Sequence, residues 1–185
     1  MPVGGHQPTR HLYVHVPFCA AKCYYCAFYS APARSGQMRR YVAAVAAELT
    51  AFRDGQGLAR APLQPQTVFF GGGTPTLLPV PLLDQLLSSI QPLIDPNAAV
   101  EWTVEANPAT VSADKARVLR AHGVNRVSLG VQSFDDSVLA TLGRIHTADQ
   151  ARQTYRLLRR AGFDNINLDL MFGLPGQSVA QWHQT

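Results

Sequence analysis

The sequence predicts an α/β fold: part of a TIM-like (β/α) barrel, truncated after about five βα units. Three observations predict it. Short segments rich in β-branched and aromatic residues alternate with segments of helical periodicity along the chain. A helix end, a glycine stop and a strand start recur at an offset of 39 residues. They occur first as Leu119-Arg120-Ala121-His122-Gly123 before Val127-Ser128-Leu129, then as Leu158-Arg159-Arg160-Ala161-Gly162 before Ile166-Asn167-Leu168. A repeated αβ unit suits a parallel sheet with right-handed crossovers. The third observation is that glycine or polar residues gather at the ends of the expected strands, where barrels of this kind build their sites. An eight-unit barrel takes ~250 residues, so a chain of 185 residues accounts for part of one.

The elements follow in order. Residues 1–10 are polar and read as a flexible N-terminus. HLYVHVPF (11–18) alternates and reads as a strand that ends just before Cys19. A loop carrying the cysteines follows. Met38, Tyr41, Val42, Val45, Ala46, Leu49 and Phe52 fall at helical spacing between Gln37 and Arg53, and GQGLARAPLQPQ breaks that helix. TVFFGGG (67–73) reads as a buried strand, and PVPLLDQLLSSI (79–90) as a helix opened by proline. AAVEWTVEANP is the next strand. SADKARVLRAHG is a helix, with Ser112 as N-cap and Gly123 as the stop. NRVSLGVQSF (125–134) is a strand, and Thr147 and Gln150 have capping-box spacing before a helix that runs to Ala161. NINLDLMFGLPG (165–176) gives a fifth strand, and SVAQWHQT opens a further helix.

Composition narrows the class. An apolar fraction of 46% with 15% charged residues is that of a globular chain, read as one domain over 1–185. The net charge is +4, but the basic residues are scattered and nearly all arginine, with only Lys22 and Lys115 as lysine. That argues against a nucleic-acid stripe and suits an anionic small ligand. MPVGGHQPTR has no apolar signal region, and no apolar run is long enough to span a bilayer. A reducing, cytoplasmic setting follows, and there closely spaced cysteines bind metal rather than pair.

Cys19, Cys23 and Cys26 are the only cysteines, spaced C-x3-C-x2-C in one loop. An iron–sulfur cluster normally takes four cysteines. Three on a four-iron cluster leave one iron open to a ligand. The other reading is a zinc site of the Cys₃His kind, with His15 or His11 as the fourth ligand. Tyr25, between the last two cysteines, can pack a flat ligand against a cluster. Gly71-Gly72-Gly73-Thr74 removes side chains at a strand end, so a ligand can lie against backbone there. It lacks the Lys-Ser/Thr of a Walker loop. Glu105 and Asn107 end the third strand, Gln132 and Ser133 the fourth, and Asp169 lies in the fifth. Glu105 can hold an ammonium or a ribose hydroxyl, Arg144 a carboxylate and Asp169 a ribose. Gly173-Leu174-Pro175-Gly176 reads as a turn.

From Tyr13 to Gly176 the chain resembles the radical SAM superfamily, through YVHVPFCAAKCYYCAF, FFGGGTPT, VEANP, SLGVQSF, LGRIH and NLDLMFGLPGQ in that order. Within it, the likeness is to the branch holding the oxygen-independent coproporphyrinogen III oxidases and the heme chaperone HemW. The resemblance implies a [4Fe-4S] cluster on Cys19, Cys23 and Cys26, with S-adenosylmethionine (SAM) chelating the open iron. It implies contacts to that cofactor from Tyr13, Tyr25, Gly72, Gly73, Thr74, Glu105, Gln132, Arg144 and Asp169. One electron from such a cluster cleaves the sulfonium to a 5′-deoxyadenosyl radical, with an electron-donor protein as partner. The oxidases carry a further cysteine two residues after the triplet, where this chain has Phe28. That favours a HemW-like heme chaperone, passing heme to an unknown acceptor, over an oxidase that decarboxylates propionates. Tyr24 stands where the chaperone group often has proline, and Ala27 where it often has aspartate. The family's heme-binding and C-terminal parts would lie past Thr185.

Overall fold

The computed structural model describes residues 10–56, 63–95, 97–98, 100–183 and 185. The N-terminal loop expected at 1–10 and the middle of the break after the first helix therefore lie almost wholly outside the described residues.

Five strands form one parallel sheet: β1 (His11–Val16), β4 (Thr67–Gly72), β5 (Glu101–Ala106), β6 (Arg126–Gln132) and β7 (Asn165–Leu170), in that spatial order. Between β1 and β4 come the two-residue strands β2 (Phe18–Cys19) and β3 (Ala31–Pro32), which pair with each other, and helix α1 (Gln37–Gln56). Helices α2 (Val80–Ile90), α3 (Ala113–Ala121), α4 (Asp136–Thr141), α5 (Ala148–Arg160) and α6 (Val179–His183) complete the order. Sequence neighbours are sheet neighbours throughout, as in a barrel wall wound one βα unit at a time.

The period-2 pattern decides which way each strand faces. Val14, Val16, Val68, Phe70, Trp102, Val104, Val127, Leu129 and Val131 are buried on the face that packs against helices. Leu83, Leu86, Leu87 and Ile90 of α2, Leu119 of α3 and Leu158 of α5 meet them there. The alternate residues, among them His15, Phe69, Glu105, Ser128, Asn167 and Asp169, share the opposite face. The register sets Glu105 beside Ser128, Ser128 beside Asn167 and Gly130 beside Asp169. A parallel sheet is usually apolar on both faces; this one carries polar groups on the inner face, and there the site forms.

The caps read from the sequence are present. The Ser112 side chain accepts from the Lys115 amide, and Thr147 with Gln150 forms a reciprocal capping box. Gly123 and Gly162 stop their helices at φ +90° and +86°. Several boundaries differ from that reading. The first strand ends at Val16 because Pro17 has no N–H to continue the ladder, and its carbonyl accepts from the Ala31 amide instead (3.0 Å). Helix α1 runs on from Arg53 to Gln56 through Gly55. The third strand stops at Ala106, before Asn107-Pro108, the fifth stops at Leu170, short of its apolar and glycine tail, and an unforeseen helix, α4, fills part of the 134–146 connection. Asp135 caps α4 by accepting from Ser137 and Val138.

Candidate functional site

At the C-terminal edge of the sheet a cavity of about 570 Å³ opens between the cysteine loop and the ends of β4 to β7. Its wall includes Cys19, Cys23, Cys26, Tyr25, Gly72, Gly73, Thr74, Glu105, Gln132, Arg144 and Asp169. Every residue given a cluster or cofactor contact by the resemblance is there except Tyr13; of the other strand-end candidates Asn107 lines it, and Gly71 and Ser133 do not. Tyr13 lies outside that wall, 55% exposed, stacked on Phe69, with its hydroxyl 3.1 Å from His15 Nδ1.

The cysteine loop is held from both sides. Lys22 Nζ donates to the Phe28 carbonyl (2.5 Å) and the Ser30 hydroxyl (3.2 Å), closing the loop on itself. The Cys26 amide donates to the Cys23 carbonyl (3.1 Å). Across the mouth, the Tyr24 amide donates to Leu142 O (3.2 Å), and the Tyr24 ring lies against Gly143, where an added Cβ would sit 3.2 Å from it. Thr74 Oγ1 is 3.8 Å from Cys19 Sγ, and Arg144 Nη1 donates to Cys23 Sγ at 3.4 Å.

The glycines after β4 are required first by the protein itself. A Cβ on Gly71 would meet Glu105 Oε2 at 2.8 Å, and one on Gly72, at φ +101°, would strike the His15 ring at 2.4 Å. A Cβ on Gly73 would lie 2.6 Å from Phe18 O. The sequence reading of this run as a bed for a ligand is therefore incomplete. Gly72 and Gly73 do line the cavity, but close packing against β1, β2 and Glu105 already forbids a side chain.

The carboxylates are half-buried in the wall. Burial pushes the Glu105 carboxyl above its ordinary value; the Gly72 amide, donating at 3.2 Å, opposes this, and the Asp169 charge adds to it. Asp169 accepts from Ser128 Oγ (3.2 Å) and from Asn167 Nδ2 (2.6 Å). Ser128 and Asn167 escaped the sequence reading, although Asn167 falls two residues from Asp169 and Ser128 four from Gln132 along their strands. Burial also raises the Tyr25 hydroxyl, against the nearby Arg144 charge. Gln132 is the one non-glycine residue at positive φ (+69°) among the described residues, at an irregularity in the β6–β7 register. Strain of that kind collects where a side chain must be aimed.

A desolvated Glu105 destabilises the fold when charged, which gives a checkable outcome. Below the ordinary glutamate range the group is protonated in both states and costs nothing. As pH rises through its raised folded value, the penalty grows to its full size. Glu105→Gln should therefore match the cluster-free parent in acid and melt at a higher temperature than the parent at neutral pH. Equal melting temperatures across the range would mean that Glu105 is adequately solvated.

The arrangement suits a cluster with an anionic ligand beside it. Arg144 Nε is buried with no hydrogen-bond partner, although Nη2 donates to Gly130 O (2.5 Å) and Nη1 to Cys23. An arginine left short of acceptors at a cavity wall is matched to a carboxylate. The zinc alternative needs donors converging on one ion, and among the described residues no three His, Cys, Asp or Glu side chains do so. His15 donates from Nε2 to Tyr29 O (2.8 Å) and accepts from Tyr13 at Nδ1, and His11 Nδ1 pairs with Thr67 Oγ1. A four-iron cube instead takes each thiolate on its own iron.

Fold and site together define an α/β barrel-type protein whose parallel strands end at a thiolate-lined cavity. The chain belongs to the radical SAM superfamily, whose family model matches residues 13–185. It is 40% identical to the heme chaperone HemW of Bacillus subtilis, over 92% of this chain and 44% of that protein. It is 35% identical to the oxygen-independent coproporphyrinogen III oxidase of Bradyrhizobium diazoefficiens, over 97% of this chain and 39% of that one. The structure of the Escherichia coli coproporphyrinogen III oxidase HemN superposes with a TM-score of 0.81 at 30% identity, covering 95% of this chain and 40% of that chain. The chain thus spans less than half the length of these relatives. Among the described residues, no helix is long and apolar enough to cross a membrane.

Proposed function

We propose that this chain is the radical SAM core of a HemW-like heme chaperone, working in the cytoplasm on heme received and passed on by the complete protein. Cys19, Cys23 and Cys26 hold a [4Fe-4S] cluster, and Arg144 receives the carboxylate of S-adenosylmethionine. Glu105 faces its ammonium, Asp169 its ribose, and Gly72, Gly73, Thr74, Gln132 and Tyr25 line its bed. Tyr13 acts from one layer further out, through His15. When bound, the cluster supplies the electron that cleaves the sulfonium, delivered by a donor protein. The protein's own part is to orient the ligand, fix its charges and exclude water.

The observation that carries the chaperone reading is Phe28. It lines the cavity, 67% exposed, where the oxidases have their further cysteine. The full-length protein, reconstituted without oxygen and titrated with heme, should bind it stoichiometrically. It should leave coproporphyrinogen unchanged in the presence of S-adenosylmethionine and a reductant. No heme binding would end this reading. The likeness to the HemN structure favours a second one, oxidative decarboxylation of propionates, and formation of protoporphyrinogen would establish that reading instead.

A further inference from the structure

His146 is only 3% exposed and is not part of the cavity wall, although Arg144 and Ile145 are. Its Nε2 is 3.1 Å from the Val131 carbonyl. A carbonyl can only accept, so Nε2 carries the proton. Nδ1 is buried without a partner, and burial with the neighbouring Arg144 charge lowers the ring's pKa to about 4, so the imidazole is neutral. Two residues earlier, Arg144 Nη2 grips the Gly130 carbonyl. One short loop thus holds two consecutive carbonyls of β6 through two side chains. The next residue is Gln132, at φ +69°, where the β6–β7 register slips. Gln132 returns its own carbonyl to the Met171 amide (2.9 Å), beyond the end of β7. A left-handed conformation at glutamine is unfavourable, and something must over-determine it.

We infer that His146 is a positioning residue for the S-adenosylmethionine site: its Nε2–H and Arg144 together clamp the end of β6 in the kinked form that sets Gln132 in the cavity wall. This rests on the proposed function above and adds a residue to it. His146 does not touch the ligand; it acts through Gln132 and through the set of Arg144.

The test compares His146→Leu, which fills the space without a donor, with His146→Gln, whose amide can donate to Val131 O. The full-length parent binding S-adenosylmethionine checks the underlying reading; the variants check this one. At equal iron and sulfide content, His146→Leu should weaken binding about tenfold, an amount within what an orphaned buried carbonyl costs the fold and expressed here through the set of Gln132. His146→Gln should recover most of that loss. Leu and Gln variants that both bind like the parent would overturn the inference. If His146→Leu carries no cluster, or the parent binds no ligand, backbone NMR of His146→Gln and the parent still decides. Gln132 shifts preserved in both, with the parent ring in the Nε2–H tautomer, support the clamp. A parent ring protonated on Nδ1 refutes it.

Discussion

Cys23→Ala should abolish the cluster. After anaerobic reconstitution, iron should fall from about four atoms per chain toward none, with loss of the broad visible absorption and of the cubane Mössbauer signal. The size of the effect follows from position. Cys23 is the middle thiolate of a loop that carries all three, and no other cysteine exists to replace it. It also accepts the hydrogen bond from Arg144, so its loss frees the guanidinium meant for the ligand. The fold should survive, because Cys23 is only partly buried and lies outside the apolar core. Circular dichroism and denaturant midpoints of the cluster-free variant and parent should agree. A full complement of cubane iron in the variant would remove Cys23 from the ligand set and with it the proposed function.

Gly73→Val should cost both stability and metal. The Cβ alone would sit 2.6 Å from Phe18 O, 2.8 Å from Phe18 N and 2.8 Å from Val16 O. These are backbone atoms and cannot rotate aside. Relief requires β4 to part from the β1–β2 neck, where the Gly73 amide bonds Val16 O and the Thr74 amide bonds Phe18 O. Phe18 precedes Cys19, so the displaced segment carries the first cluster ligand. Overpacking of this kind typically costs about 1–3 kcal/mol, and the backbone clash places this site at the upper end. Urea denaturation of the cluster-free form should show a lowered midpoint, and reconstitution a reduced iron content. Weaker ligand binding with unchanged iron and unchanged midpoint would mean that the glycines serve only the ligand.

That second expectation marks what sequence could and could not tell. The alternation of strands and helices, the caps at Ser112 and Thr147 and the polar strand ends were legible because they depend on neighbours within a few residues. The strand ends did converge, since a parallel sheet must bring its C-termini to one edge. Reasons that depend on distant chain were not legible. Nothing local to Gly73 says that Phe18 lies against it, and nothing local to Tyr13 says that its ring stacks on Phe69. His146 stood in the quoted LGRIH run, but its chemistry arises from burial and from a carbonyl 15 residues earlier. Lys115 is a parallel case. One of two lysines, it reads as a solvated helix residue, yet Nζ donates to Thr76 O (2.6 Å) and Thr110 O (2.9 Å). It ties together the turns that follow β4 and β5.

The clasp between the Tyr24 amide and Leu142 O, with Arg144 on Cys23, joins positions more than a hundred residues apart. A ribosome therefore exposes all three thiols long before it releases the segment that embraces them. During that interval the nascent loop is open to oxidants and to stray ions. On the proposed function, iron uptake is therefore expected only once the α4–α5 connection has emerged, rather than when the sulfurs first appear.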